Sequence, residues 1–239
     1  MPRALLVLGA RNLGGAIADH FKELGWSTAA LAKSEETVVA VSARGHLGIR
    51  ADASDPDAIA AACEQTRNEF GELDAIVNAV SLAGRPPGPF GGGPLLEASP
   101  EVLDHYMAGV ARQAFAFLST GARALAQNPT GGALIQVTGG SSRRAMPGRG
   151  AWAAGAFATR ALTQAAAQEL RTEGIHVALL VVDATIASPK TAEFTKDRPP
   201  HELADQAEVA KAAAFLVEQG PRGMTHELVV TPAGDRWVP

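Results

Sequence analysis

Cysteine is almost absent from this chain of 239 residues, which limits the covalent and metal chemistry that the chain can support. Cys63 is the single cysteine, so no disulfide can form within the chain, as is usual in a reducing compartment. The six histidines are scattered, and no group of cysteines and histidines has the spacing of metal ligands. We therefore expect a cytoplasmic protein without a metal site.

Long apolar runs and an excess of positive charge are also lacking. The first residues, MPRALLVLGA, form an apolar run that soon meets Gly9 and Arg11. This run is too short to span a membrane and has no signal-peptide cleavage pattern, so we interpret it as a buried first strand. The net charge of -4 argues against nucleic acid or a membrane as the main partner, and a small molecule is the expected ligand.

The chain does contain a regular alternation of short apolar runs and longer helical stretches. The strand candidates are residues 5–8, 28–31, 48–51, 75–78, 133–138, 176–182 and 228–230. The helix candidates are residues 14–24, 55–70, 100–127, 151–172 and 206–219, and residues 84–94 form a long loop. This alternation predicts an α/β fold in one domain over residues 1–239, with a doubly wound parallel sheet of about seven strands and helices on both faces.

Residues 152–170 point to a family. They read WAAGAFATRALTQAAAQEL and resemble the active-site helix of the short-chain dehydrogenase/reductase family, which usually reads like YSASKAALxxLTRALAAEL. Aligned through Glu169 and Leu170, the family's catalytic Tyr falls on Trp152 and its Lys on Ala156. The resemblance covers nearly the whole chain and implies a Rossmann-type fold, a nicotinamide cofactor and a homodimer or homotetramer.

The resemblance also implies that the family's catalytic tetrad is replaced. The Tyr of that tetrad donates a proton to a carbonyl, and the Lys lowers the pKa of the Tyr. The family's Ser falls on Gly139 here, and its Asn falls near Val110 and Ala111. A Trp indole is not a usable acid, and an alanine side chain can do nothing electrostatic. Ordinary carbonyl reduction is therefore not expected.

The turn after the first strand is the expected cofactor site. It reads GARNLGGAIA over residues 9–18 and is similar to the family's GASRGIGRAIA. Such a turn lets backbone N–H groups approach a pyrophosphate at a helix N-terminus. Gly9 and Arg11 match the family, and Gly14 takes the place of its last glycine. The middle glycine falls on Asn12, which tolerates a left-handed conformation, or on Leu13. A tight turn without a ligand is the alternative.

The residues after the second strand favour NADP(H) over NAD(H). An acid that would bind the ribose hydroxyls of NAD is replaced by Ala32, and Lys33 and Ser34 follow. Lys33 and Arg11 are cations suited to a ribose phosphate, although Lys33 could equally be a solvated surface residue. By resemblance the further cofactor contacts are Asp52 and Ala53 beside the adenine, Asn78 and Ala79 after the fourth strand, and Ser188 near the nicotinamide.

Three functions remain open. The first is a protein that binds NADP(H) without ordinary carbonyl reductase activity and serves in binding or regulation. The second is an NADP-dependent oxidoreductase with relocated acid and base groups, for which the candidates are Tyr106, His105 and Ser141. The third is a lyase or isomerase that uses the same pocket without hydride transfer. Beside that pocket, an arginine cluster could bind an anionic ligand; its members are Arg143, Arg144 and Arg149.

Overall fold

The computed structural model describes residues 2–84 and 88–235. Within them seven parallel strands form one sheet in the order β3-β2-β1-β4-β5-β6-β7. The strands are β1 (Ala4–Leu8), β2 (Ser27–Ala32), β3 (Leu47–Arg50), β4 (Ala75–Asn78), β5 (Gly132–Gly139), β6 (Ile175–Val182) and β7 (Glu227–Val230). The predicted Rossmann-type, doubly wound α/β fold is confirmed.

Helices cover both faces of this sheet. They are α1 (Leu13–Glu23), α2 (Glu35–Ala43), α3 (Pro56–Phe70), α4 (Pro100–Tyr106), α5 (Gln113–Leu125), α6 (Gly150–Glu169), α7 (Ala192–Thr195) and α8 (Gln206–Val217). Alternate residues of β1 divide between the two faces. Leu5 and Val7 pack with α1 and α8, whereas Leu6 and Leu8 pack with α3 and α5. Burial on both faces explains why β1 reads as a continuous apolar run.

The strand order also locates the ligand crevice. β1 lies between β2 and β4, so the direction in which the chain winds reverses between these strands. In open α/β sheets a crevice forms at such a point, outside the carboxyl ends of the strands. Here those ends are followed by the glycine turn after β1 and by the chain segment after β4.

The long helix expected over residues 100–127 is interrupted. A π-helical segment, Met107–Arg112, separates α4 from α5. Inside this segment the Gly109 carbonyl accepts a hydrogen bond from the Ala83 N–H at 2.9 Å. A Cβ on Gly109 would lie only 2.7 Å from the Ala83 carbonyl oxygen. The chain after β4 thus lies directly against this segment, and a π-helical turn often marks a functional site.

Two helices, α2 and α7, were not predicted from the sequence. In α2 only Thr37 and Val41 are buried, so its sequence carries no clear apolar stripe.

The predicted loop over residues 84–94 includes residues 85–87, which lie outside the described part of the chain. In the described part of the chain no helix is long and apolar enough to cross a bilayer. Residues 2–84 and 88–235 also hold no group of three potential metal ligands.

Candidate active site and cofactor crevice

The glycine turn between β1 and α1 has the close backbone packing that a nucleotide site requires. Gly9 has a φ of +86°, and its N–H donates to the Leu31 carbonyl at 3.0 Å. A Cβ on Gly14 would overlap the Gly9 carbonyl oxygen, so no side chain fits at that position. Helix α1 begins at Leu13, directly after the turn, and its free N–H groups therefore lie at the mouth of the crevice.

Asn12 does not adopt the left-handed conformation that asparagine tolerates. Its φ is -123°, and no described residue other than glycine has a positive φ. The left-handed residue of this short turn is Gly9, so Asn12 does not need that conformation. Leu13 is 8 % exposed and packs in the core between the sheet and α1, while Arg11 is exposed at the surface.

Lys33 lies between β2 and α2 and is paired with a carboxylate. Its Nζ is 2.6 Å from Oδ2 of Asp52, and both side chains are open to solvent. The hydrogen bond from Lys33, followed by hydrogen bonds from Ser54, lowers the pKa of Asp52 from 3.8 to about 2. Ser34 is the N-cap of α2 and accepts a hydrogen bond from the Thr37 N–H. The structure therefore brings Lys33 and Asp52 together beyond the carboxyl ends of β2 and β3.

Asn78, at the end of β4, is completely buried and lies at the centre of a group of side-chain amides. Its Nδ2 donates to Oε1 of Gln136 in β5 at 2.9 Å and to Oε1 of Gln113 in α5 at 3.0 Å. Gln113 in turn donates to the Ala53 carbonyl at 3.0 Å. Asn78 and Ala53 were predicted from the sequence as cofactor contacts, whereas the two glutamines were not. A polar residue within the apolar run ALIQV could have drawn attention to Gln136.

Trp152, in the first turn of α6, takes part in an aromatic cluster. Its ring centroid lies 5.0 Å from that of Phe90 and 5.8 Å from that of Tyr106. The backbone N–H of Trp152 donates to the Gly91 carbonyl at 3.3 Å, and the Arg149 guanidinium lies over the Phe90 ring. The loop that carries Phe90 is therefore joined to the start of α6.

A narrow cleft separates Trp152 from the end of β5. Its volume is about 20 Å³, which is room for roughly one water molecule. The cleft is lined by Val80, Ser81, Val110, Gln136, Val137, Thr138, Gly139, Trp152 and Thr159. The residues that line it therefore include an indole, three hydroxyls and an amide, but no carboxylate, imidazole, ammonium or phenol.

The other positions aligned with the tetrad carry no functional group. Ala156 is 1 % exposed and Ala111 is 6 % exposed, so both are packing residues. Gly139 ends β5 in an extended conformation, and a Cβ built there would meet nothing closer than the Val182 carbonyl oxygen at 3.8 Å. Position 139 therefore has room for a side chain, although a glycine occupies it.

The candidate substitutes lie in two places: the rings of His105 and Tyr106 meet edge to face, with centroids 5.8 Å apart, and Ser141 lies in a separate turn. Tyr106 is fully buried, and its hydroxyl accepts a hydrogen bond from the Gly91 N–H at 2.6 Å. It does not line the cleft. His105 has a buried Nε2 atom without a hydrogen-bond partner among the described residues. Ser141 is half-buried in the short 3-10 turn Gly140–Ser142 that follows β5. The structure does not bring these three side chains together at one point.

Two members of the arginine cluster, Arg143 and Arg144, are paired with carboxylates of the same chain. Arg144 donates to Oδ1 of Asp183 at 2.9 Å, and Arg143 lies 3.7 Å from Glu227. Glu227 also accepts two hydrogen bonds from Arg160, at 2.9 and 3.1 Å. These internal ion pairs reduce the attraction that the cluster exerts on an anionic ligand.

Asp183 and Ser188 follow β6 at the same edge of the sheet. The Asp183 carboxylate lies against Gly140, where an added Cβ would overlap Oδ1. Its Oδ2 atom is buried and has no hydrogen-bond partner among the described residues. The Ser188 hydroxyl is within hydrogen-bond distance of Thr191 Oγ1, at 3.1 Å. Asp183 follows Val182, which pairs with Gly139, the position aligned with the family's Ser.

Comparison with known proteins agrees with this architecture. Residues 7–234 match the family described as Enoyl-(Acyl carrier protein) reductase. The chain is 31 % identical to 2-(R)-hydroxypropyl-CoM dehydrogenase of Xanthobacter autotrophicus, over 90 % of this chain and 91 % of that protein. The chain belongs to the short-chain dehydrogenase/reductase family.

Solved structures show the same fold at lower sequence identity. Actinorhodin polyketide ketoreductase with NADPH superposes with a TM-score of 0.82 at 20 % identity, over 99 % of this chain and 98 % of that one. An alcohol dehydrogenase from the archaeon Thermococcus sibiricus, complexed with 5-hydroxy-NADP, gives a TM-score of 0.79 at 20 % identity over the whole of both chains. Each of these two structures contains its protein in complex with NADPH or a modified NADP.

Proposed function

We propose that this protein binds NADP(H) and lacks the ordinary carbonyl reductase activity of its family. The observation that carries the proposal is the environment of Trp152. The residue aligned with the catalytic Tyr is an indole packed against Phe90 and Tyr106, beside a cleft of about 20 Å³. The position four residues later is a buried alanine. No group at these two positions can exchange a proton with a substrate near neutral pH.

The residues around the crevice fit a nicotinamide nucleotide. The absence of a Cβ at Gly14 lets α1 begin directly against the Gly9 carbonyl, and the N-terminus of α1 suits a pyrophosphate. Lys33 and the exposed Arg11 supply positive charge for a ribose phosphate. When bound, such a cofactor supplies hydride chemistry. The residues of this chain bind and orient it, but they provide no proton at the family's usual position.

Asp183 favours a second candidate function, an oxidoreductase with a relocated proton acceptor. Its buried Oδ2 atom has no described partner, and buried oxygens of this kind call for an explanation. A ligand hydroxyl that donates to this oxygen would supply the missing bond. The relative from Xanthobacter is named for the oxidation of an alcohol, so alcohols belong in any test of turnover. In this case Asp183→Asn would abolish turnover, whereas Tyr106→Phe would leave it intact.

We also propose that the chain forms a homodimer or homotetramer. Four large apolar side chains are exposed on α4, the π-helical segment, α5 and α6, at Leu103, Met107, Phe115 and Phe157. Each is between about a third and a little over a half exposed, which is unfavourable in water. Sedimentation equilibrium at micromolar concentration tests this proposal, and a monomer there would contradict it.

The experiment for the main proposal combines titration with a turnover assay. Calorimetry with NADPH and NADP⁺, and with NADH as the control, measures whether and how selectively the cofactor binds. The same preparation is then incubated with NADPH and a panel of ketones, or with NADP⁺ and a panel of alcohols that includes 2-(R)-hydroxypropyl-CoM. We expect micromolar binding of the phosphorylated cofactors without turnover. Product formation accompanied by a change in nicotinamide absorbance would support the second candidate, and product formation without that change would support a lyase or isomerase.

A further inference from the structure

We propose that the three buried amides Asn78, Gln113 and Gln136, here called the amide network, position two backbone segments that border the cofactor crevice. Gln113 is the positioning residue in this arrangement. The inference rests on the proposed binding of NADP(H). It goes beyond that proposal because it assigns a role in cofactor binding to a residue on α5, a helix that does not itself border the glycine turn.

The hydrogen bonds of the network define how each amide is oriented. Nδ2 of Asn78 donates one hydrogen to Gln113 and the other to Gln136. Nε2 of Gln113 donates one hydrogen to the Ala53 carbonyl and the other to Oδ1 of Asn78, at 3.0 and 3.3 Å. All the donor hydrogens of Asn78 and Gln113 are therefore used. The three side chains are at most 2 % exposed, so bulk water does not reach a bond lost by Asn78 or Gln113.

The network is hydrogen-bonded to two backbone groups in the segments that border the crevice. The first is the carbonyl of Ala53, the residue after Asp52 at the adenine end. The second is the N–H of Val80, which donates to Oδ1 of Asn78 at 3.2 Å. Val80 also packs on the glycine turn, since a Cβ on Gly9 would lie 2.9 Å from Val80 Cγ2. One set of amides thus connects the Asp52 segment, the segment after β4 and, through Val80, the turn after β1.

Apolar residues at these positions would fill the same space but would not hold the two segments. Gln113 lies 35 residues from Asn78 and 60 residues from Ala53 along the chain, so local backbone structure does not fix their separation. If Gln113 is replaced by a methionine of similar shape, the Ala53 carbonyl and both partners on Asn78 lose a bond in a buried place. We expect the segments to remain folded but to lose their fixed spacing around the cofactor.

The test compares Gln113→Met with a matched control on the same helix. Phe117→Leu removes volume from a fully buried side chain of α5 that takes no part in the network. Both variants should lower the melting temperature. Gln113→Met should in addition raise the Kd for NADPH by about fivefold to tenfold, the effect of one or two buried hydrogen bonds, whereas Phe117→Leu should leave that Kd unchanged.

A second variant, Gln113→Glu, gives a readout that loss of stability alone would not produce. A protonated glutamic acid can accept from Asn78 and donate one hydrogen bond, so it restores most of the network. The ionised form places negative charge against the Ala53 carbonyl and Oδ1 of Asn78. The ratio of the variant's Kd to that of the wild type should therefore rise as the pH rises through the pKa of the introduced carboxyl, a pKa that burial raises.

The outcomes separate this inference from the proposed function. Wild-type protein that fails to bind NADPH at millimolar concentration overturns both. Wild-type binding with equal Kd values for Gln113→Met and Phe117→Leu overturns the inference alone. A Kd ratio for Gln113→Glu that does not change between pH 5 and pH 9 likewise overturns it, because the network then does not control the crevice.

Discussion

Tyr106 and Trp152 meet edge to face, with ring centroids 5.8 Å apart and ring planes at 85°. The single phenol of the chain is therefore adjacent to the position where the family carries its catalytic Tyr, but its hydroxyl is turned to the Gly91 N–H and sealed from solvent. Such an aromatic pair stabilises the fold by about 0.5–1.5 kcal/mol beyond the contribution of the apolar area that it buries. The two residues serve to hold the Phe90 loop against α6.

Gly14→Ala tests whether the glycine turn forms a nucleotide site. The added Cβ would overlap the Gly9 carbonyl oxygen, so the turn or the start of α1 must shift. We expect a loss of about 1–3 kcal/mol in the free energy of unfolding, as for other overpacked sites, together with loss of NADPH binding. Urea unfolding and calorimetry measure the two effects.

Gly223→Ala is the matched control for this substitution, because a Cβ there meets nothing within 4 Å. It should change neither stability nor binding appreciably. If Gly14→Ala bound NADPH as the wild type does, the turn would not be the pyrophosphate site.

Lys33→Ala tests the preference for the phosphorylated cofactor. Its ammonium is the charged group placed between β2 and α2, and a charged hydrogen bond to a phosphate contributes more than a neutral one. The Kd for NADPH should rise by about tenfold, whereas the Kd for NADH should stay within a factor of about two. Lys211→Ala removes a similarly exposed lysine that is paired with Glu208 on α8, and it should leave both constants unchanged. A parallel loss of NADH affinity in Lys33→Ala would argue against a phosphate contact.

The sequence predicts the architecture better than it predicts the site, for physical reasons. β4 was predicted with its observed bounds, because its first three residues form the apolar run expected of a strand buried on both faces. The hydrogen-bond partners of Asn78 could not be predicted from the sequence. Gln113 and Gln136 lie 35 and 58 residues away along the chain and contact Asn78 only when α5 and β5 pack against β4. The sequence also did not show that the positive φ of the short turn falls on Gly9 and not on Asn12, because composition does not show which residue of a turn adopts it.

The pairing of Lys33 with Asp52 predicts a pH-dependent contribution to stability. Asp52 has its pKa lowered from 3.8 to about 2, so the contribution is present above the unfolded pKa and is lost as the pH falls through about 2. Between about pH 4 and pH 2 the wild type should therefore lose more stability than Asp52→Asn. The effect is expected to be small, because both side chains are substantially exposed. Urea midpoints at each pH measure it.

Lys33→Met provides the control for this pH dependence. The hydrogen bond from Lys33 is the largest cause of the lowered pKa, and hydrogen bonds from Ser54 supply the next contributions. Lys33→Met should consequently remove part, but not all, of the difference between the wild type and Asp52→Asn. If the urea midpoints of the wild type and of Asp52→Asn fell equally between about pH 4 and pH 2, the Asp52 carboxylate would have the same pKa in the folded and unfolded states.

The proposed replacement of the tetrad predicts that activity can be built by restoring three of its members. The variant combines Trp152→Tyr, Ala156→Lys and Gly139→Ser. The first two residues lie one helical turn apart on the same face of α6, so the introduced ammonium can lower the pKa of the introduced phenol. Position 139 has room for a side chain in its extended conformation.

The measured quantity is the oxidation of NADPH in the presence of a ketone panel, with product identified by mass spectrometry. The control carries Trp152→Phe in place of Trp152→Tyr, so it differs only in the phenolic hydroxyl. The tyrosine variant should exceed this control by on the order of 100-fold, the contribution of one positioned general acid, while both bind NADPH equally. Equal rates in the two variants would contradict the alignment of Trp152 with the catalytic Tyr. A wild-type rate as high as that of the tyrosine variant would show that the chain already holds a proton donor elsewhere, and Asp183→Asn would then be the variant to measure next.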